Sequence, residues 1–185
     1  MAILKKFGLI LICKAIFMKI IGIDPGIAIT GWAILEFEGR EVLEMLDYGV
    51  IETSKERNSG ERLSEIYSDL SEILQNFKPE VAGVETLIFC NNAKTAMQVG
   101  EARGVVVLAL EQSGVEIHEF TPLQVKSSIS GYGKANKEQV QENVRRMCKL
   151  ENVPKPDDAA DAIAAAICCN DTLVLNSLSK FNKMA

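Results

Sequence analysis

The spacing of apolar and polar positions divides the chain into a strand-rich first part and a helix-rich remainder. Residues 19–24 are almost uniformly apolar, the pattern of a central strand covered on both faces. Residues 28–37 and 41–52 read as two further strands, joined by Glu38-Gly39-Arg40 in a hairpin-like connection. Asn58 and Glu61 are spaced for a capping box. Leu63, Ile66, Tyr67, Leu70, Ile73, Leu74 and Phe77 then recur at three- and four-residue intervals, predicting a helix that ends at Phe77-Lys78-Pro79. A second buried strand is expected over 81–85, a helix over 92–113 and a short strand over 115–120. Asn136 and Gln139 form another capping pair, for a helix carrying Val140, Val144 and Met147. Pro154 and Pro156 lead into an Ala-rich helix over 157–170. This order predicts an α/β fold with a mixed central sheet flanked by helices. Three strands form an antiparallel meander, and the later strands run parallel because helical crossovers join them.

The 185 residues suit a single domain, expected over 18–175, with 176–185 as a C-terminal tail. Lys5 and Lys6 followed by Phe7 to Ile12 resemble parts of a signal peptide. Lys14 interrupts that run, however, no small-x-small cleavage site follows, and about 20 apolar residues are needed to span a bilayer. Met18 directly precedes the first strand, so residues 1–17 are expected to be an extension created by an upstream start codon, and no membrane association is expected. Hydrophobic residues make up 48% and charged residues 24%, which excludes disordered and fibrous classes. Five cysteines (Cys13, Cys90, Cys148, Cys168 and Cys169) show no C-x-x-C spacing, so buried thiols in a reducing cytoplasm are expected.

The net charge of −5 speaks against nucleic acid as a partner, but charge is local. Between 126 and 149 six basic residues (Lys126, Lys134, Lys137, Arg145, Arg146, Lys149) outnumber two acidic ones (Glu138, Glu142), giving a segment suited to flanking phosphates. Candidate chemistry lies in the acids. Asp24 closes the first strand before Pro25-Gly26, where the chain must turn. Glu85 closes a second apolar strand, and such strand ends are where α/β sheets build their sites. Asp158 and Asp161 lie three apart on one face of an Ala-rich helix with no basic neighbour on it, whereas Asp157 reads as a first-turn dipole residue. Like charges so placed repel, and a dication relieves the conflict. Ligation by carboxylates without His or Cys suits Mg²⁺, with Mn²⁺ as a substitute, in pairs about 4 Å apart that serve phosphoryl transfer. Asp24, Glu85, Asp158 and Asp161 are the residues that would hold such ions. The single histidine, His118, reads as part of a strand surface.

Several stretches together resemble the RuvC family of bacterial Holliday junction resolvases: GIDPG–TGWA (22–33), VE (84–85), NNAKTAMQVGEARGV (91–105), QVK (124–126) and DDAADAIAAAI (157–167). The resemblance spans Met18 to about Cys169 in order and spacing. It implies a ribonuclease-H-like fold and a homodimer that makes paired, symmetric nicks in strands of like polarity at a four-way DNA junction, leaving 5′-phosphate and 3′-hydroxyl ends. It also implies recombination and repair as the setting and the RuvA–RuvB branch-migration complex as partner. Asp24, Glu85, Asp158 and Asp161 fall on the family's metal-binding acids, and Lys126 and Lys137 on its basic residues near the scissile phosphate; Lys134 is a further DNA-binding candidate. The family's stacking aromatic, three residues after the Glu, is Ile88 here, with Phe89 beside it as the candidate replacement. The 92–113 helix, with Ala93, Ala96, Met97, Gly100 and Gly104 on one face, is the candidate dimer surface. Two alternatives stand beside the nuclease: a junction binder without catalysis, and an ATP-binding module of the actin and sugar-kinase type. The second shares a strand–Asp–x–Gly opening but normally needs two such domains.

Overall fold

A computed structural model describes residues 17–86, 93–133 and 135–184. Strands β1 (Phe17–Asp24), β2 (Ile29–Glu38) and β3 (Glu41–Glu52) form the meander, followed by helix α1 (Ser59–Phe77), strand β4 (Val81–Glu85) and helix α2 (Ala93–Gln112). Strand β5 (Glu116–Phe120) precedes helices α3 (Pro122–Ser130), α4 (Lys137–Met147) and α5 (Asp157–Met184). The sheet order is β3-β2-β1-β4-β5. β1 pairs antiparallel with β2 and parallel with β4, and β4 pairs parallel with β5. The mixed sheet expected from the connections is therefore present.

Two apolar layers sandwich the sheet. On one face Ile21, Ile23, Ile34 and Ile51 pack with Ile66, Leu70 and Leu74 of α1 and Val106 and Leu110 of α2. On the other, Ile20, Leu35 and Phe37 pack with α5 and with Val125, Ile129, Val140 and Val144 of α3 and α4. Caps set the helix starts as their sequences require. Asn58–Glu61 and Asn136–Gln139 form reciprocal capping boxes.

Two boundaries differ from the sequence reading. Helix α3 was not foreseen, although Thr121 and Gln124 form a capping box around Pro122 and Gly131 ends the helix in the left-handed region. Its nine residues include three serines and show little amphipathic periodicity. Helix α5 does not stop near 170 but continues to Met184, so residues 176–184 are helical. No Gly or Pro lies between 171 and 184 to break it. Over Asp157–Lys180 this helix is long and apolar enough to cross a membrane by length and composition, yet half of that stretch is buried inside the fold. Its apolarity is explained by packing on the sheet. Cys148, Cys168 and Cys169 are buried thiols, and burial pushes Cys148 up to about 12. Phe89, Ile88, Lys134 and the segment 1–16 lie outside the described residues.

Candidate active site

Side chains alternate along a strand, so residues two apart share a face. Ile20, Gly22 and Asp24 of β1 share the face toward α5, as do Val81, Gly83 and Glu85 of β4 and Gly31, Ala33 and Leu35 of β2. The glycines are seats for the helix. A Cβ on Gly31 would stand 2.0 Å from the carbonyl oxygen of Asp158, one on Gly22 1.9 Å from that of Ala162, and one on Gly83 2.5 Å from that of Ala165. Asp158, Ala162 and Ala165 form one stripe of α5, which thus crosses three adjacent strands with its backbone directly on theirs. Each of β1 and β4 carries its carboxylate two residues beyond its seat. Because Ile23 pairs with Val84 in parallel register, Asp24 and Glu85 leave the sheet side by side. The first turns of α5 therefore bring Asp158 and Asp161 over them.

Electrostatics report the same convergence. Asp24 is pushed up to about 7, chiefly by burial and then by Asp161 and Asp158, with Lys137 pulling it back. Glu85 is pushed up to about 8 by burial, then by Asp24 and Asp161, against Lys126 and Lys137. Burial also raises Asp161, with Lys137 lowering and Asp158 raising it. Glu85, Lys126, Lys137 and Asp161 line one cavity of about 240 Å³, together with Pro122, Val125 and Val140. Lys137, the first residue of α4, places its Nζ 3.2 Å from Asp157 Oδ2 and 3.6 Å from Asp161 Oδ2. Asp157 also accepts from Gln141 Nε2 at 2.9 Å and from Lys155 Nζ at 3.2 Å. These bonds hold Asp157 below the usual carboxylate range, so it anchors Lys137 rather than joining the four acids.

The structure thus gathers Asp24, Glu85, Asp158, Asp161, Lys126 and Lys137 into one corner. It does not bring the whole basic segment there: Arg145 and Arg146 of α4 are both engaged by Glu142. His118 lies on β5, 2.9 Å from Glu116 and apart from the acids. The donor set fits a hard dication, since it consists of four carboxylates with no nitrogen or sulfur ligand, three of them held protonation-prone by burial and mutual repulsion. Among the described residues no three His, Cys, Asp or Glu side chains already close tightly enough to hold an ion. Glu85 and Asp161 line a cleft that Lys137 shares. Sequence reasoning missed the three glycine seats and the Gln141–Asp157–Lys137 relay. A glycine in mid-strand, against strand propensity, was the available signal for the seats.

The family model for the crossover junction endodeoxyribonuclease RuvC matches residues 20–169. This chain belongs to the RuvC family. Among RuvC relatives, the crossover junction endodeoxyribonuclease of Caldicellulosiruptor saccharolyticus is 47% identical over 151 residues, covering 82% of this chain and 91% of the relative. That of Halothermothrix orenii is 45% identical over 159 residues, covering 86% and 96%. Among solved structures, Thermus thermophilus RuvC in complex with a Holliday junction substrate aligns with a TM-score of 0.83 at 33% identity, covering 86% of this chain and 97% of that one. The yeast mitochondrial Holliday junction resolvase shares the fold at 13% identity, with a TM-score of 0.64.

Proposed function

We propose that this protein is a Mg²⁺-dependent endonuclease that resolves Holliday junctions as a homodimer. It nicks two strands of like polarity and leaves 5′-phosphate and 3′-hydroxyl ends. The observation that carries this reading is the convergence of Asp24, Glu85, Asp158 and Asp161 at one corner of the sheet in a RuvC-family chain.

Those four acids would hold Mg²⁺, or Mn²⁺ in its place. When bound, such ions acidify an attacking water and neutralise charge building on the departing oxygen. The chain's own residues do the rest. Asp24 and Glu85 are fixed on sheet strands, and the Thr86 N–H donates to Phe120 O at 2.8 Å, continuing the ladder one residue past Glu85. Rigid carriers of this kind keep the reacting groups aligned without reorganisation at the moment of reaction. Lys126 and Lys137 border the same cavity and would take the charge of the scissile and flanking phosphates. Lys134 and Phe89 are assigned as further DNA contacts, Phe89 stacking on an unpaired base where the family has its aromatic at the position of Ile88.

Helix α2 supplies the dimer surface. Ala102, Val106, Ala109 and Leu110 are buried on its inner side, while Met97 and Leu108 are exposed. A Cβ added at Gly100 or Gly104 would meet nothing. A second copy can approach that open, small-residue face closely. The RuvA–RuvB branch-migration complex would present the junction, and the cytoplasm is the assigned compartment.

The test is a labelled four-way junction incubated with the protein, with and without Mg²⁺, beside a linear duplex. Paired nicks in the junction alone, and only with the ion, are expected. Junction binding without nicking, or ATP hydrolysis in the absence of DNA, would replace this reading.

A further inference from the structure

Thr30 and Thr53 are buried polar residues, and both serve the turn over 25–28 that directly follows Asp24. Buried hydroxyls need partners, and the partners here are the backbone groups of that turn. Gly26 O accepts from Thr30 Oγ1 at 2.6 Å, and Ala28 O accepts from the Thr53 N–H at 3.0 Å. Ile27 O accepts twice, from Thr53 Oγ1 and, at 3.2 Å, from Nη2 of Arg62. Arg62 also donates from Nε to Thr53 Oγ1 at 2.8 Å. Its own backbone is firm, because it sits in the first turn of α1 with its N–H bonded to Asn58 O at 3.1 Å. One guanidinium therefore ties a helix on one side of the sheet to the turn that ends in the site on the other.

We infer that Arg62 is a positioning residue for cleavage: with Thr53 it locks the 25–28 turn so that Asp24 leaves β1 aimed at Asp158 and Asp161. This rests on the reading of Asp24 as one of the metal-holding acids. The role depends on shape. Nε and Nη2 point in fixed, divergent directions and reach two acceptors 26 positions apart in sequence, Thr53 and Ile27. A lysine ammonium is a point charge on a flexible stem and does not reproduce that fork. The cation acting on the Asp24 carboxyl is Lys137, so Arg62 works through the backbone rather than through its field.

The experiment compares single-turnover junction cleavage and junction binding for the parent, Asp24→Asn, Arg62→Ala, Arg62→Lys, Thr53→Val and Thr53→Ser. Arg62→Ala and Thr53→Val should each slow cleavage about 10- to 100-fold, the scale of a displaced catalytic group, with junction Kd within about threefold of the parent. Thr53→Ser keeps the hydroxyl and should return the rate to within about threefold. Arg62→Lys should remain as slow as Arg62→Ala. The inference is overturned if Arg62→Ala or Thr53→Val cleaves within about twofold of the parent, if Arg62→Lys restores the rate, or if Kd weakens by the same factor as the rate, the mark of a DNA contact. Should Arg62→Ala not fold, the Thr53→Val and Thr53→Ser pair decides by the same criteria. Cleavage by Asp24→Asn would remove the site assignment itself, and it is read before any clamp variant.

Discussion

On one face of the sheet, α1 and α2 stand at the distance set by Ile21, Ile23, Ile34, Ile66, Leu70 and Leu110; on the other, α5 lies with its backbone against Gly22, Gly31 and Gly83. The first face buries large branched side chains, each contributing roughly 1.5–3 kcal/mol of transfer free energy. The second gives up that burial where the glycines sit. In return it brings a helix close enough for its first turns to reach the acids of two strands. Both faces bury large apolar side chains, but only the second carries the candidate acids, and the glycine seats are what let α5 come within reach of them.

The largest effect that sharpens this comparison is on the chemistry itself. Glu85→Gln should lower junction cleavage by at least about 10³-fold while binding stays within a few-fold, because a carboxylate proposed to hold an ion is lost and DNA contacts are not. Next is a seat. Gly31→Ala puts a Cβ against the Asp158 carbonyl, so α5 must shift by an ångström or so, and cleavage should fall about 100-fold with the fold retained. If Gly31→Ala cleaves normally, the seats do not position the site.

Smaller is the response to pH. In the proposed site Asp24 and Glu85 would have to ionise to hold a cation, and they are pushed up to about 7 and about 8. At subsaturating Mg²⁺, cleavage should therefore rise from pH 6 to 8 and level off above about 8, and added Mg²⁺ should move the limb to lower pH. Stability runs the other way without divalent ions. A carboxyl whose folded pKa is raised keeps its proton in the fold after the unfolded chain has released it near pH 4. The unfolded state then binds fewer protons, so stability falls with rising pH until the folded-state values near 7 and 8 are passed. Thermal melts at pH 5 and pH 8 read this, and a higher Tm at pH 8 would contradict it. The smallest effect on cleavage belongs to the opposite face. Leu70→Ala should cost about 2–5 kcal/mol of stability, yet leave the cleavage rate of the folded protein within about threefold.

What the sequence made legible was local. Asp24 and Glu85 each end an apolar run, and Asp158 and Asp161 share a helix face, so strand ends and helix spacing sufficed to nominate them. The mixed character of the sheet followed from which connections are short and which contain helices, whereas the strand order β3-β2-β1-β4-β5 came only with the structure. What stayed hidden depends on pairing across distance. Arg62, Thr53 and Ile27 meet only after α1 folds back on the meander, and Gln141 meets Asp157 only when α4 docks beside α5. Arg145 and Arg146 read as part of a DNA-facing field until Glu142 proved to engage both. Charge counted along a chain does not say which charges are already paired.

The most direct measurement is made on one preparation of Asp24→Asn, scoring nicking of a four-way junction and retention of that junction in the same reactions with Mg²⁺. The account predicts that the junction is held at near-parent affinity and stays uncut, with Tm at pH 8 measured without divalent ions raised by a few degrees as buried charge is removed. Cutting at a rate close to the parent's would contradict it.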